Sequence, residues 1–421
     1  MVSPVPPLLL DADRVRLQRR TLRVLRVSQL FGGAGSATGI AVVGILAHNL
    51  LHQDTFAGFP GGLYTLGAAL SSAILGRWMA RVGRRPGLLT GYGVGAIGAV
   101  AAVAATLEQN VLVLMFGMVL FGAGSSANLM SRYTGADLAG PGERAKAIST
   151  VVFATTLGSV LGPDLAGPLG LGAERLSLPA LAGPFLFAGI CFVLAASTLA
   201  IFLRPDPLVV SGGTDRTTRF EGTPLQLLVL ILRSPGARLG LLAMALSQAL
   251  MNGIMVMTPV YMTESGFTLT VVGVVISLHI LGMYGPSPIT GRLADRFGRP
   301  PLIVAGGVVM AVSALIGVLA PSHSAPLIAA GLLLLGVGWN FGLIAGSAQL
   351  TESVDPAHRA EVQGLSDLGM GLSGAVAGAM AGVVMQSGGF HTLSLIAAVG
   401  SAMLLGLGLW PGHRRAAAGS A

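Results

Sequence analysis

Long runs without a single charge decide what this chain can fold into. Residues 27–53, 86–107, 110–131, 239–263 and 300–351 contain no Asp, Glu, Lys or Arg, and about twenty apolar residues are enough for a helix to cross a bilayer. The whole chain is 53% hydrophobic and only 10% charged, where soluble globular proteins carry about 25% charged residues. A water-soluble protein is therefore excluded. Inside lipid every backbone N–H and C=O must be satisfied within the protein, which selects helices for runs of this length. Most of the 62 glycines fall inside the apolar runs rather than in loops, as close packing of helices in lipid requires. The single cysteine, Cys191, lies in an apolar run, so no intramolecular disulfide is possible.

Cutting the chain at charge clusters and Gly/Pro/Ser breaks predicts twelve spans near 27–50, 60–79, 87–107, 110–131, 148–171, 184–203, 239–262, 268–290, 301–320, 326–349, 363–386 and 392–410. Alternating the loops between two sides places 24 of the 25 basic residues on one side, with Arg175 alone on the other. The positive-inside rule makes that side the cytoplasm and puts both termini there. In this count Arg132, Arg144 and Lys146 belong to one loop cluster. The net charge of +8 then reads as topology, and no nucleic-acid partner is needed to explain it.

Residues 1–26 read as a flexible cytoplasmic tail rather than a signal peptide, because the apolar piece Val5 to Leu10 is short and precedes the arginines. The hydrophilic interval 204–238 reads as a cytoplasmic linker between six-helix bundles at 27–203 and 239–410, with 411–421 as a C-terminal tail. Within the linker, Leu225 to Leu232 is too short to span and is expected on the membrane surface. A shift of 215 residues superimposes parts of the halves: Gly76 on Gly291, Arg81 on Arg296, Gly83 on Gly298, Arg84 on Arg299, and Pro141, Arg144 and Ala145 on Pro356, Arg359 and Ala360. A repeat of six spans keeps the same orientation in each copy, the arrangement in which two bundles rock about a shared cavity.

The loop after the eighth span reads G-R-L-A-D-R-F-G-R over residues 291–299, which resembles motif A of the major facilitator superfamily, G-x-x-x-D-R-x-G-R. Its partner after the second span, residues 76–84, reads G-R-W-M-A-R-V-G-R, with Ala80 where the carboxylate would stand. The resemblance extends over essentially the whole chain. It implies an all-α integral membrane protein of twelve helices in two pseudo-symmetric bundles, nearest to the drug/proton antiporter type. It also implies a cytoplasmic gate made by Gly76, Arg77, Arg81, Gly83 and Arg84 with Gly291, Asp295, Arg296, Gly298 and Arg299. Asp295 would meet the start of the fifth span, and the first copy would meet the start of the eleventh. Asp367, near that start, is expected to replace the charge missing at Ala80 by pairing with Arg77 or Arg81.

The fifth span carries Gly158, Gly162, Pro163 and Gly167, which resembles in part the antiporter motif G-x-x-x-G-P-x-x-G-G and so implies export in exchange for protons. Its closing glycine pair is displaced by one, with Gly167 as the first member and Pro168 in the place of the second. The arginine that such antiporters carry in the fourth span corresponds to Met118. Three residues are proton-coupling candidates: Asp164, an ionisable group deep in a span; His279, at comparable depth in the eighth span and a possible partner for it; and Asp367. Gln29, Asn128, Gln248, Asn252, Trp339 and Asn340 are substrate-cavity candidates by resemblance, and Met244, Met251 and Met255 near Gln248 make the surface adaptable.

These readings combine into a secondary transporter, not an enzyme, in a bacterial plasma membrane. It would export a small amphiphilic compound in exchange for protons, with no cofactor, and work as a monomer among membrane lipids. Proton-coupled uptake, facilitated diffusion, lipid scrambling and intramembrane catalysis are the alternatives. A metal site at His48, His52 and Asp54 is disfavoured, and no phosphate-binding loop supports ATP drive.

Overall fold

A computed structural model describes residues 11–51, 59–140, 142–214, 220 and 222–409. The first six membrane passages are α1 (Asp11–Leu51), α2 (Phe59–Val82), α3 (Arg84–Glu108), α4 (Val111–Ala136), a fifth made of α5 (Arg144–Leu161) and α6 (Ala166–Arg175), and α7 (Ala182–Phe202). Two short helices follow, α8 (Pro207–Val210) and α9 (Pro224–Arg233). The second half comprises α10 (Pro235–Glu264), an eighth passage made of α11 (Leu269–Tyr284) and α12 (Ser287–Phe297), α13 (Arg299–Leu319), α14 (Ala325–Glu352) and α15 (Arg359–Leu409).

Ten described segments are long and apolar enough to cross a membrane. The 24 residues of α2 and the division of α15 complete the twelve. As a straight rod the 51 residues of α15 would reach about 76 Å, more than twice the ~30 Å hydrocarbon thickness. Gly389 breaks it with φ 70° and ψ −178°, a backbone region open essentially to glycine alone. The chain reverses there, and the eleventh and twelfth passages run side by side.

Pro163 opens a single 3-10 turn, Pro163–Leu165, between α5 and α6. The ring of Pro163 cannot supply the N–H that a continuous helix needs, and the passage bends at that point. Gly285 and Pro286 divide α11 from α12 in the eighth passage. Each half has its own apolar core. Phe121, Phe185 and Phe192 meet edge-on or tilted in the first, with Phe121 and Phe192 centroids 5.1 Å apart, and Met310, Leu335 and Leu404 are buried in the second. Large apolar side chains such as Ile74, Val100, Phe116, Ile190 and Leu319 face outward. In water such a surface would aggregate, and in a bilayer it is solvated by acyl chains.

One expectation is corrected near the start of the chain. Residues 11–26 are not a loose tail but the first turns of α1. No helix breaker separates Asp11 from the apolar run, and the segment is anchored on the end of α4, where Gln18 Nε2 donates to the Gly135 carbonyl (2.7 Å) and Arg14 Nε to that of Leu138 (3.3 Å). In the linker, residues 224–233 form α9, started by a capping box between Thr223 and Gln226. It buries Leu227 and Ile231 against the protein and leaves Leu225, Val229 and Leu230 exposed. Residues 1–10, 215–219 and 410–421, together with His52 and Asp54, lie outside the described residues.

Candidate functional site

The two halves meet at the end where the arginine-rich loops lie. There the 215-residue repeat becomes a pair of matched contacts. A Cβ on Gly76 would stand 2.7 Å from the Ala360 carbonyl oxygen and 2.8 Å from Gly364 Cα, while one on Gly291 would strike Ser149 and stand 2.8 Å from the Ala145 carbonyl. Ala360 and Gly364 are the repeat mates of Ala145 and Ser149, so each half presses its motif glycine onto the first turns of a helix of the other half. Glycine is required because the opposing backbone occupies the space of a side chain.

Asp295 accepts hydrogen bonds from the backbone N–H groups of Ala145 (3.2 Å) and Lys146 (2.8 Å). These are orphan donors at the start of α5, where the helix dipole favours negative charge. Arg299 binds both Asp295 (3.0 Å) and Glu352. On the pseudo-symmetric side Arg84 pairs with Asp137 through two bonds of 2.8 and 3.0 Å. Nη2 also crosses to the Gln363 side-chain oxygen of the other half at 2.6 Å. Burial pushes the Asp137 carboxyl up from its ordinary value, and the Arg84 guanidinium pulls against it. Gly83 and Gly298 turn the chain with φ 97° and 92°, which L side chains resist. Arg77 holds the Gly222 carbonyl of the linker at 2.7 Å, whereas Arg81 and Arg296 are exposed.

Above this closed end lies a cavity of about 490 Å³ shared by both halves. Gln29, Asn128 and Thr155 line it from the first half, and Gln248, Asn252 and Trp339 from the second. Its floor is a buried ion pair that bridges the halves. Arg132 Nη2 lies 2.6 Å from Asp367 Oδ1, and the two side chains are 1% and 0% exposed. A second bond joins Nη1 to Oδ2 at 3.1 Å. Arg132 also donates to Ser347 Oγ (3.0 Å), the Leu129 carbonyl (2.7 Å) and Tyr133 Oη (2.9 Å), while Tyr133 Oη donates to Asp367 (3.1 Å). Ser347 is the repeat mate of Arg132, so the pair sits where the two halves meet their own equivalents.

Several expectations change here. Arg132 is not a loop charge that sets topology; it lies within α4, fully enclosed. Asp367 pairs with Arg132, not with Arg77 or Arg81, since its side chain descends from the cavity side of α15, about 12 Å along the helix from Arg359. Asp164 is exposed in the 3-10 turn and does not line the cavity. His279 is buried, with Nδ1 2.8 Å from the Leu332 carbonyl, and no hydrogen bond or ion pair joins it to Asp164. Asn340 is also turned away from the cavity. Its amide donates to the Met283 carbonyl and Ser287 Oγ, and its oxygen accepts from Thr290, tying α14 to the break between α11 and α12. In the fifth passage Gly158 and Gly162 pack on α1 at Ala34 and Ala37, while nothing lies against Gly167.

Arg132 was legible as a charge but not as a buried one, because it follows a span boundary that charge counting itself defined. A hint exists in the sequence: Arg132 is followed by the uncharged run 133–136 before Asp137, so α4 has another turn to make.

The profile of the Major Facilitator Superfamily matches residues 27–286 and 240–420. The chain belongs to this superfamily. It is therefore a multi-pass membrane transporter of small molecules and not an enzyme. The uncharacterized MFS-type transporter YddS of Bacillus subtilis is 40% identical over 94% of this chain and 91% of its own length. The riboflavin transporter RfnT of Brucella anthropi is 30% identical, covering 89% of this chain and 92% of its own. In fold, the chain superimposes on the human organic anion transporter MFSD10 with a TM-score of 0.77 at 18% identity, over 93% of this chain and 99% of that one.

Proposed function

We propose that this transporter is proton-coupled and exports a small amphiphilic organic compound by alternating access, with Asp367 as the proton carrier. The observation that carries the reading is the Arg132–Asp367 pair, because its two partners belong to different halves and form the floor of the shared cavity. With Asp367 ionised, the pair ties the halves together beneath the cavity. A proton entering from the open side neutralises the carboxylate, removes most of the attraction and leaves Arg132 held by α4 and Ser347. The halves can then part at the basic end. Substrate entering from that side, with loss of the proton, restores the pair and returns the transporter to the state described here.

Asp295, Arg299, Glu352, Arg84 and Gln363 act in this reading as the gate at the basic end, which the positive-inside rule makes cytoplasmic. The partial antiporter motif at Gly158, Gly162 and Pro163 supports export over uptake. Asp164 and His279 carry no proton step, since neither lines the cavity. The working unit is a monomer in a bacterial plasma membrane with both termini inside.

The test is transport in proteoliposomes under an imposed proton gradient, with a panel of labelled amphiphiles. Accumulation against the substrate gradient in the wild type, lost in Asp367→Asn and retained in Asp164→Asn, is the expected result. Equal movement with and without the gradient would make the protein a facilitator and sink proton coupling. Co-directional movement of proton and substrate would reverse the export assignment.

A further inference from the structure

α9 is apolar on two faces. One face packs Leu227 and Ile231 into the core of the second half, where both are buried. On the other, Leu225, Val229 and Leu232 are 70%, 40% and 38% exposed, and their i, i+4, i+7 spacing gathers them into one stripe. Ser234 caps the end of α9 and the start of α10 at once, with an extended backbone of φ −80° and ψ 114°. The chain turns there, so α9 lies off the axis of the seventh passage at the level where that passage enters the bilayer. Between Pro224 and Arg238 there is no acidic residue, and Arg233 and Arg238 close the segment. A helix with an apolar stripe and a basic flank binds in the headgroup boundary of an anionic membrane.

The other end of α9 carries a bond between the halves. Gly222, just before the capping box of Thr223 and Gln226, accepts on its carbonyl from Arg77 Nη2 at 2.7 Å. Arg77 belongs to α2 of the first half, next to Gly76, whose contact with Ala360 closes the basic end. Gly222 travels with the second half, because Leu227 and Ile231 root α9 there and the nearby Phe220 ring meets His358 edge-on at 6.0 Å and 82°. Parting the halves therefore breaks the Arg77–Gly222 bond.

We infer that α9 is a membrane-seated latch: its Leu225–Val229–Leu232 stripe, with Arg233 and Arg238, docks on the anionic headgroup surface of the cytoplasmic leaflet, and this seating holds Gly222 in place for Arg77. Ten residues make a marginal helix on their own, so α9 depends on what covers it. Apolar side chains in the leaflet and arginines among lipid phosphates order the helix, its capping box and the carbonyl that precedes it. A neutral leaflet supplies only the apolar part. An anionic leaflet thus favours the state closed at the basic end. The latch acts on closure rather than on the cavity, so it operates whatever compound is carried and whether or not protons drive it.

The test is the rate at which N-ethylmaleimide, an uncharged reagent, alkylates Ser149→Cys in a Cys191→Ser background. The full chain is held in nanodiscs of phosphatidylcholine, alone or mixed with phosphatidylglycerol. Ser149 is buried against Gly291 in the closed state, so the rate follows the open fraction even when that fraction is small. Phosphatidylglycerol should slow alkylation about fivefold or more, the effect of one basic residue held near an anionic surface. Arg77→Ala should react faster than the parent in both lipids and lose most of the lipid response. Leu225→Ser with Val229→Ser should lose that response too, although every arginine is still in place. Arg233→Gln with Arg238→Gln should match the parent in phosphatidylcholine and fail to slow in phosphatidylglycerol.

Equal parent rates in the two lipids would overturn the latch, and this comparison leaves α9 unaltered, so it does not depend on a variant folding. A full response retained in the stripe variant would assign the lipid effect to the arginine-rich loops at large and would also overturn it. So would an Arg77→Ala rate equal to that of the parent.

Discussion

Arg132 and Asp367 concentrate the energetics of the molecule into one contact. A buried charge deprived of its partner is costly, typically by about 3–5 kcal/mol, whereas replacing both partners with apolar groups is often neutral. Arg132→Leu is therefore expected to lower the thermal midpoint strongly, and Arg132→Leu with Asp367→Leu to recover most of the loss, both read by thermal unfolding in detergent. Transport should stay lost in the double variant, which separates the stability of the pair from its use. If the single variant unfolds at the wild-type temperature, the pair is not the buried contact described. Asp295 behaves differently, because it caps a helix of the other half from a partly exposed position. Asp295→Asn keeps the shape and removes the charge, so stability should fall by only about 0.5–2 kcal/mol, while the basic end should open more readily. Alkylation of a cysteine placed at Ser149, in a Cys191→Ser background, would then speed up.

At the scale of elements, the passages are held by places where a helix must end or where a side chain has no room. Gly389 lets one continuous stretch of sequence serve as two passages, since only a residue without Cβ adopts φ 70° with an extended ψ. Gly389→Ala should cost about 1–3 kcal/mol, with the loss visible as a lower unfolding temperature and no change in affinity for any ligand. The Gly76–Gly364 contact is the element-level counterpart of the ion pair below the cavity. Gly76→Leu cannot close against the Ala360 carbonyl, so the variant should favour the state open at the basic end. Spin labels on the loops after α2 and α12 would show the longer distance, and an unchanged distance would mean that this contact does not control closure. The first motif copy, with Ala80 in place of a carboxylate, relies on Gln363 reaching Arg84 where the second copy relies on Asp295 reaching α5.

For the whole molecule, the described state is closed at its arginine-rich end and carries its cavity beyond the Arg132–Asp367 floor. The cross-half contacts named above all lie between that floor and the basic loops. With the basic end in the cytoplasm, a membrane-impermeant maleimide added outside is expected to label Val256→Cys, which lines the cavity and is exposed, in the Cys191→Ser background. Gln363→Cys, beneath the floor, should be protected. The opposite pattern would place the opening at the basic end.

Charge-free runs, their number and the side on which arginines gather were enough to establish a twelve-span helical membrane protein, because in lipid the backbone leaves no other option and loops must hold the charge. Spacing alone also carried the two motif loops, since glycine and arginine at those intervals survive as a repeat of 215 residues in the one-dimensional record. What the sequence could not hold was any relation that depends on two helices facing each other. Asp367 reads in the sequence as the stand-in for the carboxylate missing at Ala80, but its partner 235 positions away becomes visible only when α4 and α15 pack. Asp164 and Asn340 went the other way: Asp164 is expected to carry protons from its depth in a span and Asn340 to line the cavity by resemblance, and each is turned elsewhere, Asp164 at the break by Pro163 and Asn340 toward the one at Pro286. Depth along a span follows from counting residues, whereas the direction a side chain faces follows from how the helix is bent and what it packs against, and only the tertiary structure sets those.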